Sequence, residues 1–449
     1  MVLLINPKTT KPTETKTEFF REPNTGLLYL AAILEENNIN VEILDLEQYS
    51  NLSRNSIDHI IKEITSFHNI IGITSLTNTF KYVKYIAKTI RNSYPTKIIV
   101  FGGPHVSFLY KEILTQDYEN EQLIDFICIG EGEYNFLELV KLLNSHSVKH
   151  GNIEKLEKKI NNIPNVSYIN SKKKVKFTGD QKESIKINRL PLPARYKLSP
   201  VNYYYTVANI IVNRGCPNQC SFCSRQKLFE TTRLRTHHSI AEEIRDIISS
   251  QTYEFVNFYD NINLNLEFFE RFCKMLQSSD LHISWGCELR VDNLFLSHAK
   301  LLKDAGCKVI ATGIESASRK ILRKNFKYQD PQQVKKGIEN LKKFKIPVQA
   351  YFVLGLPGET EKTFQNTIDY IKDLPLSAED TINYFVATPY PGSKLWTERE
   401  RFGINIIEED FSKYDCEHII FETDDLSYFQ LEDMLKEAKN IESYFEDLH

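Results

Sequence analysis

Three of the eight cysteines crowd into one short stretch, Gly215-Cys216-Pro-Asn-Gln-Cys220-Ser-Phe-Cys223, while Cys128, Cys273, Cys287, Cys307 and Cys416 are scattered. Thiolates spaced x3 then x2 on one loop can ligate three corners of a four-iron cluster and leave the fourth iron open. An open corner is what chemistry at the cluster requires and what pure electron transfer avoids. The rival use is a structural zinc site of three Cys and one His, with His237 or His238 as fourth ligand. Its usual form has paired Cys-x2-Cys knuckles, and here a single such pair exists. The scattered five read as small buried hydrophobes. Cysteines distributed this way over 449 residues are not a disulfide framework, so a reducing compartment is expected.

The loop follows an apolar run, Ala208–Asn213, and further runs recur at Phe255–Tyr259, His282–Glu288, Lys308–Ile314, Val348–Gly355 and Ile382–Ala387. Stretches with helical spacing lie between them, such as Ile240–Ser249, Leu294–Ala305 and Thr363–Asp373. Six strand–helix units predict a partial (β/α)6 TIM-type barrel over 201–395, with its chemistry at the carboxyl-end mouth. Residues 1–145 alternate in the same way. Expected strands are Val2–Asn6, Val41–Asp45, Ile70–Thr74, Lys97–Phe101 and Ile127–Gly130; expected helices are Gly26–Glu36, Ile57–Ile64, Tyr82–Arg91 and Glu133–Leu143. That pattern predicts an α/β, doubly wound parallel sheet of Rossmann-like form, binding ligands at the carboxyl ends of its strands.

Residues 146–200 are expected to be a linker containing a hairpin, Val166–Ile169 with Val175–Phe177. Lys149–Arg189 holds eleven Lys/Arg against four Asp/Glu, read as a solvated hairpin because no aromatics interleave as a stacking platform. From Glu398 to His449, five basic residues face sixteen acidic ones. Amphipathic spacing around Tyr428–Phe445 predicts a small, folded, helical and acidic cap over 396–449.

Across the whole chain, 56 Lys+Arg against 59 Asp+Glu give a net charge of −3, so no global basicity argues for nucleic acid. Hydrophobic residues at 41% and charged residues at 26% are ordinary globular usage and exclude a largely disordered chain. No apolar run approaches the roughly 18 residues of a membrane span. Met1–Pro7 is too short for the apolar region of a signal peptide and lacks its basic flank. The expectation is a cytoplasmic protein with no transmembrane segment.

At the cysteine loop, with Phe222 before the last Cys, the sequence resembles the radical SAM superfamily. Tyr259-Asp260-Asn261, Glu288-Leu-Arg290, Gly313-Ile-Glu315-Ser316, Gly355-Leu-Pro-Gly358-Glu359-Thr360 and Thr388-Pro-Tyr-Pro-Gly392 then close successive expected strands. The resemblance implies a 4Fe-4S cluster on Cys216, Cys220 and Cys223, and S-adenosylmethionine contacts at Phe222, Asp260, Arg290, Glu315, Ser316 and Gly355. Asn261 stands where the family commonly has the second of an acidic pair.

Upstream, Pro23-Asn-Thr-Gly26-Leu-Leu-Tyr-Leu30, Gly72-Ile-Thr-Ser75-Leu-Thr77, Gly102-Gly-Pro-His105 and Gly130-Glu-Gly-Glu133 look like the cobalamin-binding domain of cobalamin-dependent radical SAM proteins. This implies cobalamin contacts at Ser75, Thr77, Gly102, Gly103, Pro104, His105, Gly130 and Glu131. Many such domains carry an Asp-x-His-x-x-Gly loop after the first strand. Here the first histidine is His59 and Pro7–Asn24 has none, so the lower face of cobalt is expected to lack an imidazole. His105 reads as a turn or phosphate contact. The resemblance spans Val2 to about Trp396.

It implies an enzyme using a 4Fe-4S cluster, S-adenosylmethionine and cobalamin to methylate an unactivated carbon of a small-molecule or lipid-like substrate. A reductant such as flavodoxin or ferredoxin is the expected partner. Ring formation or rearrangement without net methylation would use the same cofactor sites. Sulfur insertion into tRNA needs a second cluster on N-terminal cysteines, and only Cys128 precedes Cys216. A non-enzymatic cobalamin sensor or carrier would leave the cysteine loop without a use.

Overall fold

The computed structural model describes residues 1–9, 22–146, 148–151, 153–198, 204–278 and 280–446, with the side chains of 259–261 and 444–446 outside that description. The chain forms two compact units, one mainly from residues 1–204 and the other mainly from 205–449.

In the first unit, β1 (Val2–Asn6), β2 (Val41–Asp45), β3 (Ile70–Thr74), β4 (Ile98–Gly102) and β5 (Phe126–Cys128) pair in parallel in the order β2-β1-β3-β4-β5. The reversal at β1 is the topological switch of a doubly wound sheet. Alternation along β1 shows why both faces are covered. Val2 and Leu4 join the layer that includes the helices Thr25–Glu36 and Glu133–His146. Leu3 and Ile5 join the opposite layer, which includes the helices Arg54–Ser66, Phe80–Ser93 and Pro104–Asn120. A strand buried on both faces has to be continuously apolar, as β1 is.

The hairpin expected in the linker forms at β6 (Val166–Ile169) and β7 (Val175–Phe177), but β6 pairs antiparallel with β5. The stretch expected to be a linker therefore extends the first sheet to seven strands. The reason is packing: Val166 and Tyr168 are fully buried against the first unit's core. The helix Pro104–Asn120 went unanticipated because its buried positions include His105, Ser107 and Asp117, which blur the apolar periodicity.

In the second unit, β8 (Val207–Ile211) is followed by a short pair, β9 (Asn213–Arg214) and β10 (Arg233–Leu234). Then β11 (Phe255–Asn261), β12 (Trp285–Glu288), β13 (Cys307–Glu315), β14 (Val348–Leu354) and β15 (Thr381–Val386) continue a six-stranded parallel sheet from β8 at one edge to β15 at the other. Neighbours in the sheet are neighbours in the chain, with no reversal. On β14, Val348, Ala350, Phe352 and Leu354 are buried in the core, whereas Gln349, Tyr351 and Val353 are only half-buried.

The acidic tail is more than a helix. β16 (Ile404–Ile406) and β17 (Phe421–Thr423) form a hairpin before the helix Tyr428–Glu446, which packs on β15. Leu431, Met434 and Ala438 bury that helix in the unit's main core.

Candidate functional site

The turn that releases the cysteine loop depends on Gly215. Its φ is +83°, and a Cβ there would lie 2.5 Å from the carbonyl oxygen of Thr231. Beyond it, Cys216, Cys220, Cys223 and Phe222 line a cavity of about 270 Å³ at the carboxyl ends of the second unit's strands. Asn213, Asn218, Arg225, Glu288, Arg290, Glu315, Lys327 and Tyr351 share its wall. All three cysteines are free. Among the described residues no three His, Cys, Asp or Glu side chains close on a single-ion site; the cysteines instead face a wider hollow. His237 is stacked on Phe268 with Nε2 3.0 Å from the Phe268 carbonyl oxygen, and His238 pairs with Glu242. Both proposed zinc histidines are thus engaged elsewhere.

Cations and carboxylates alternate around the sulfurs. Arg290 donates to both carboxylate oxygens of Asp292 (3.1 and 2.7 Å), to the Tyr328 carbonyl (2.6 Å) and to Asn218 Oδ1 (3.4 Å). Asn218 in turn points its amide at Cys216 Sγ, 3.5 Å away. Lys327 Nζ lies 2.6 Å from Glu315 Oε1 and 2.9 Å from the Gly313 carbonyl oxygen. Burial, the largest single influence, would lower the Lys327 ammonium, but Glu315 and Cys220 together hold the group above its usual value. Burial pushes the Cys220 thiol up to about 11, with Lys327 pulling the other way. Burial also raises Glu288, while Arg225 and Lys327 restrain the rise. Glu315 ends β13 with φ +65°, strain of the kind that persists where surrounding bonds over-determine a site.

Of the six residues assigned to S-adenosylmethionine, the structure brings Phe222, Arg290 and Glu315 into this cavity. Ser316 is fully buried and caps its own turn, accepting from Ser318 N–H (3.2 Å) beside Thr367. Gly355 donates its N–H to Glu359 (2.6 Å), whose carboxyl burial pushes up to about 8. Asp260 lies on β11 with its side chain outside the described residues. Sequence reasoning missed Asn218, Arg225, Lys327 and Tyr351. Asn218 could have been found from its place inside the loop; Lys327 lies in irregular chain three residues past the helix Arg319–Lys324 and carries no signal.

In the first unit, the carboxyl ends of β3, β4 and β5 are knitted together. Ser75 N–H donates to Gly102 O (2.8 Å) and His105 N–H to Ser75 O (3.3 Å). Ser107 Oγ donates to Gly103 O (2.8 Å) and accepts from Gly130 N–H (2.9 Å). Gly103 has φ +97°, and a Cβ there would sit 2.6 Å from Ser75 O, so this approach admits only glycine. Pro104 opens the following helix. His105 is fully buried, with Nδ1 3.3 Å from Thr77 Oγ1 and its ring 4.4 Å from that of Phe80. Burial drives its pKa down to about 3, leaving a neutral imidazole. Glu131 follows Gly130, half-buried at the same edge.

Comparison with known proteins defines the class. Residues 19–140 match the B12 binding domain model and residues 210–371 the radical SAM superfamily model. The chain belongs to the family that joins a cobalamin-binding domain to a radical SAM core. It is 30% identical over 383 residues to an uncharacterized methyltransferase of Pyrococcus horikoshii, covering 83% of this chain and 78% of that one. It is 28% identical over 403 residues to the anaerobic magnesium-protoporphyrin IX monomethyl ester cyclase of Rubrivivax gelatinosus, covering 87% and 68%. Among solved structures, the radical S-adenosylmethionine methyltransferase TsrM of Kitasatospora setae, with cobalamin and [4Fe-4S] cluster bound, aligns with a TM-score of 0.73 at 15% identity, covering 97% of this chain and 90% of that one. No helix among the described residues is long and apolar enough to cross a membrane.

Proposed function

We propose that this chain is a cobalamin-dependent radical SAM C-methyltransferase, acting on an unactivated carbon of a small-molecule or lipid-like substrate in the cytoplasm with electrons from a flavodoxin- or ferredoxin-like donor. The observation that carries the reading is the convergence of Cys216, Cys220 and Cys223 on one cavity with Arg290, Lys327 and Glu315. Three thiols without His partners, beside two cations, are a donor set suited to an iron–sulfur cluster with one open corner. The second unit's sheet supports the (β/α)6 reading: six parallel strands in chain order put right-handed crossovers on one face, which leaves the other face to curve around a lumen.

In this reading Cys216, Cys220 and Cys223 hold the cluster. When bound, the cluster supplies the electron that cleaves S-adenosylmethionine reductively, and cobalamin supplies the methyl group. Arg290 and Lys327 offer cationic donors to a carboxylate, while Glu315 and Asp260 accept from an amino group or ribose hydroxyls. Phe222 gives the cavity wall beside the cysteines an apolar surface, which would limit water there. Ser316 and Gly355 act as positioning residues for the turns after β13 and β14. Ser75, Thr77, Gly102, Gly103, Pro104, His105, Gly130 and Glu131 form the cobalamin edge. There the glycines would let a nucleotide tail approach the main chain, and the neutral His105 supports Thr77.

A second reading, ring closure without net methylation, is favoured by the similarity to the cyclase. Anaerobic turnover with trideuteromethyl-labelled S-adenosylmethionine separates the two. Methylation predicts labelled product with 5′-deoxyadenosine and S-adenosylhomocysteine in equal amounts, and neither compound from the variant carrying Ala at all three cysteines. Substrate loss with 5′-deoxyadenosine alone, and no label in product, replaces methylation with ring chemistry.

A further inference from the structure

The middle of the cysteine loop is fixed by a residue that no motif marks. Ser221, between Cys220 and Cys223, is fully buried, and both its polar donors reach one partner. Its N–H donates to the Asn325 carbonyl (2.9 Å) and its hydroxyl to Asn325 Oδ1 (2.7 Å), a residue 104 positions away in sequence. Asn325 is itself fully buried. Its side-chain amide donates to the carbonyls of Ile321 (3.0 Å) and Pro357 (3.1 Å). One amide therefore joins the cysteine loop, the helix Arg319–Lys324 and the loop after β14, with donors and acceptor all engaged. The Ser221 carbonyl is held from another side by Leu395 N–H (3.0 Å).

We infer that Asn325 is the positioning residue that fixes the Cys220–Cys223 half of the loop and so governs how firmly a cluster is retained. This rests on the functional reading above for the cluster, but the latch itself is made only of protein groups. Replacing Asn325 by Leu keeps the volume and strands two buried groups, the Ser221 hydroxyl and the Pro357 carbonyl, while the Ile321 carbonyl still accepts the main-chain N–H of residue 325. Such groups are costly to leave unmade. The segment from Cys220 to Cys223 is then loosened, left with the main-chain bonds at Ser221.

The test uses the full chain with Asn325→Leu and Ser221→Ala, singly and together. In metal-free protein, iodoacetamide labelling of each cysteine is followed by peptide mass spectrometry. Asn325→Leu is expected to speed labelling of Cys220 by about tenfold, with Cys416 unchanged and Cys223, already exposed, labelling readily in every variant. Ser221→Ala removes only the hydroxyl bond and should give about threefold. The double variant should be no faster than Asn325→Leu, since either change loses the same bond. In reconstituted protein, iron release to a chelator should accelerate in the same order. Unchanged labelling in Asn325→Leu overturns the inference, as does an equal rise at Cys416 with a lowered melting midpoint, which marks a general structural role. If Asn325→Leu fails to fold, Ser221→Ala decides alone: unchanged labelling there overturns the latch. A parent protein that takes up no iron sinks the functional reading, while the labelling arm still judges Asn325.

Discussion

The carboxyl-end edges of the two units are joined by different materials. In the first, Ser75, Gly102, Gly103, His105 and Gly130 are linked largely through main-chain groups, with one hydroxyl, Ser107, between two strand ends. In the second, the strand ends are joined through long side chains: Lys327 to Glu315 and Gly313, Arg290 to Asp292 and Asn218, Asn325 to Ser221. A main-chain edge is sensitive to any added Cβ and indifferent to charge. A side-chain edge is the reverse, because its stability lies in charges withdrawn from water and matched to one another.

Deleting a matched charge should give the largest effect. Lys327 and Glu315 keep only 12% and 8% of their side-chain surface exposed. Lys327→Met leaves the Glu315 carboxylate buried without its cation, which should lower unfolding stability by about 3–5 kcal/mol. Adding Glu315→Gln should recover most of that loss, because removing both partners of a buried pair is far cheaper than removing one. Urea unfolding of the four proteins in the cycle measures it. A Lys327→Met chain as stable as the parent would show that water reaches this edge.

The opposite edge should respond to a methyl group. Gly103→Ala forces a Cβ within 2.6 Å of Ser75 O and 2.8 Å of Ser75 N at φ +97°. The backbone strain alone is worth about 1–3 kcal/mol, and the close approach of β3 to the helix after β4 has to open. Cobalamin uptake should fall while iron uptake stays at the parent level. Loss of both together would erase the distinction between the edges.

The same contrast explains what the sequence could reveal. A main-chain edge requires glycine and small residues at fixed positions, so Gly102-Gly-Pro-His105 and Gly130 stand out as a motif. The cysteine loop is legible for a related reason, since ligand spacing must be local. Lys327 and Asn325 are not legible. Asn325 acts over 104 positions and Lys327 reaches back 12 to Glu315, and in the chain they look like the polar end of a surface helix. The fold divides similarly. Strands buried on both faces, such as β1, announce themselves as apolar runs. The hairpin β6–β7 was visible, but its membership of the first sheet depends on the burial of Val166 and Tyr168 against partners far away in sequence. Ser316 and Gly355 lie in the turns after β13 and β14, yet a turn motif does not say which of its atoms faces a cavity.

The smallest effect sought is electrostatic, at the edge that is otherwise indifferent to charge. His105 has a pKa near 3 in the fold against an ordinary value of 6.5, because burial penalises the imidazolium. Between those values the unfolded chain binds a proton that the folded chain does not. Stability therefore rises with pH across that window, and it is fully present above 6.5. On acidification below 6.5 it is lost at a rate of at most about 1.4 kcal/mol per pH unit. Other groups titrate in the same range, so the total slope is uninformative and the difference between two proteins is what counts. His105→Asn keeps a polar group facing Thr77 and removes the titration. The free energy of unfolding, measured in urea between pH 6.5 and 5.0, should fall more steeply in the parent than in the variant, and the two curves should run parallel above pH 7. Parallel curves throughout would mean that His105 takes up a proton in the folded chain, and with it that this edge tolerates charge after all.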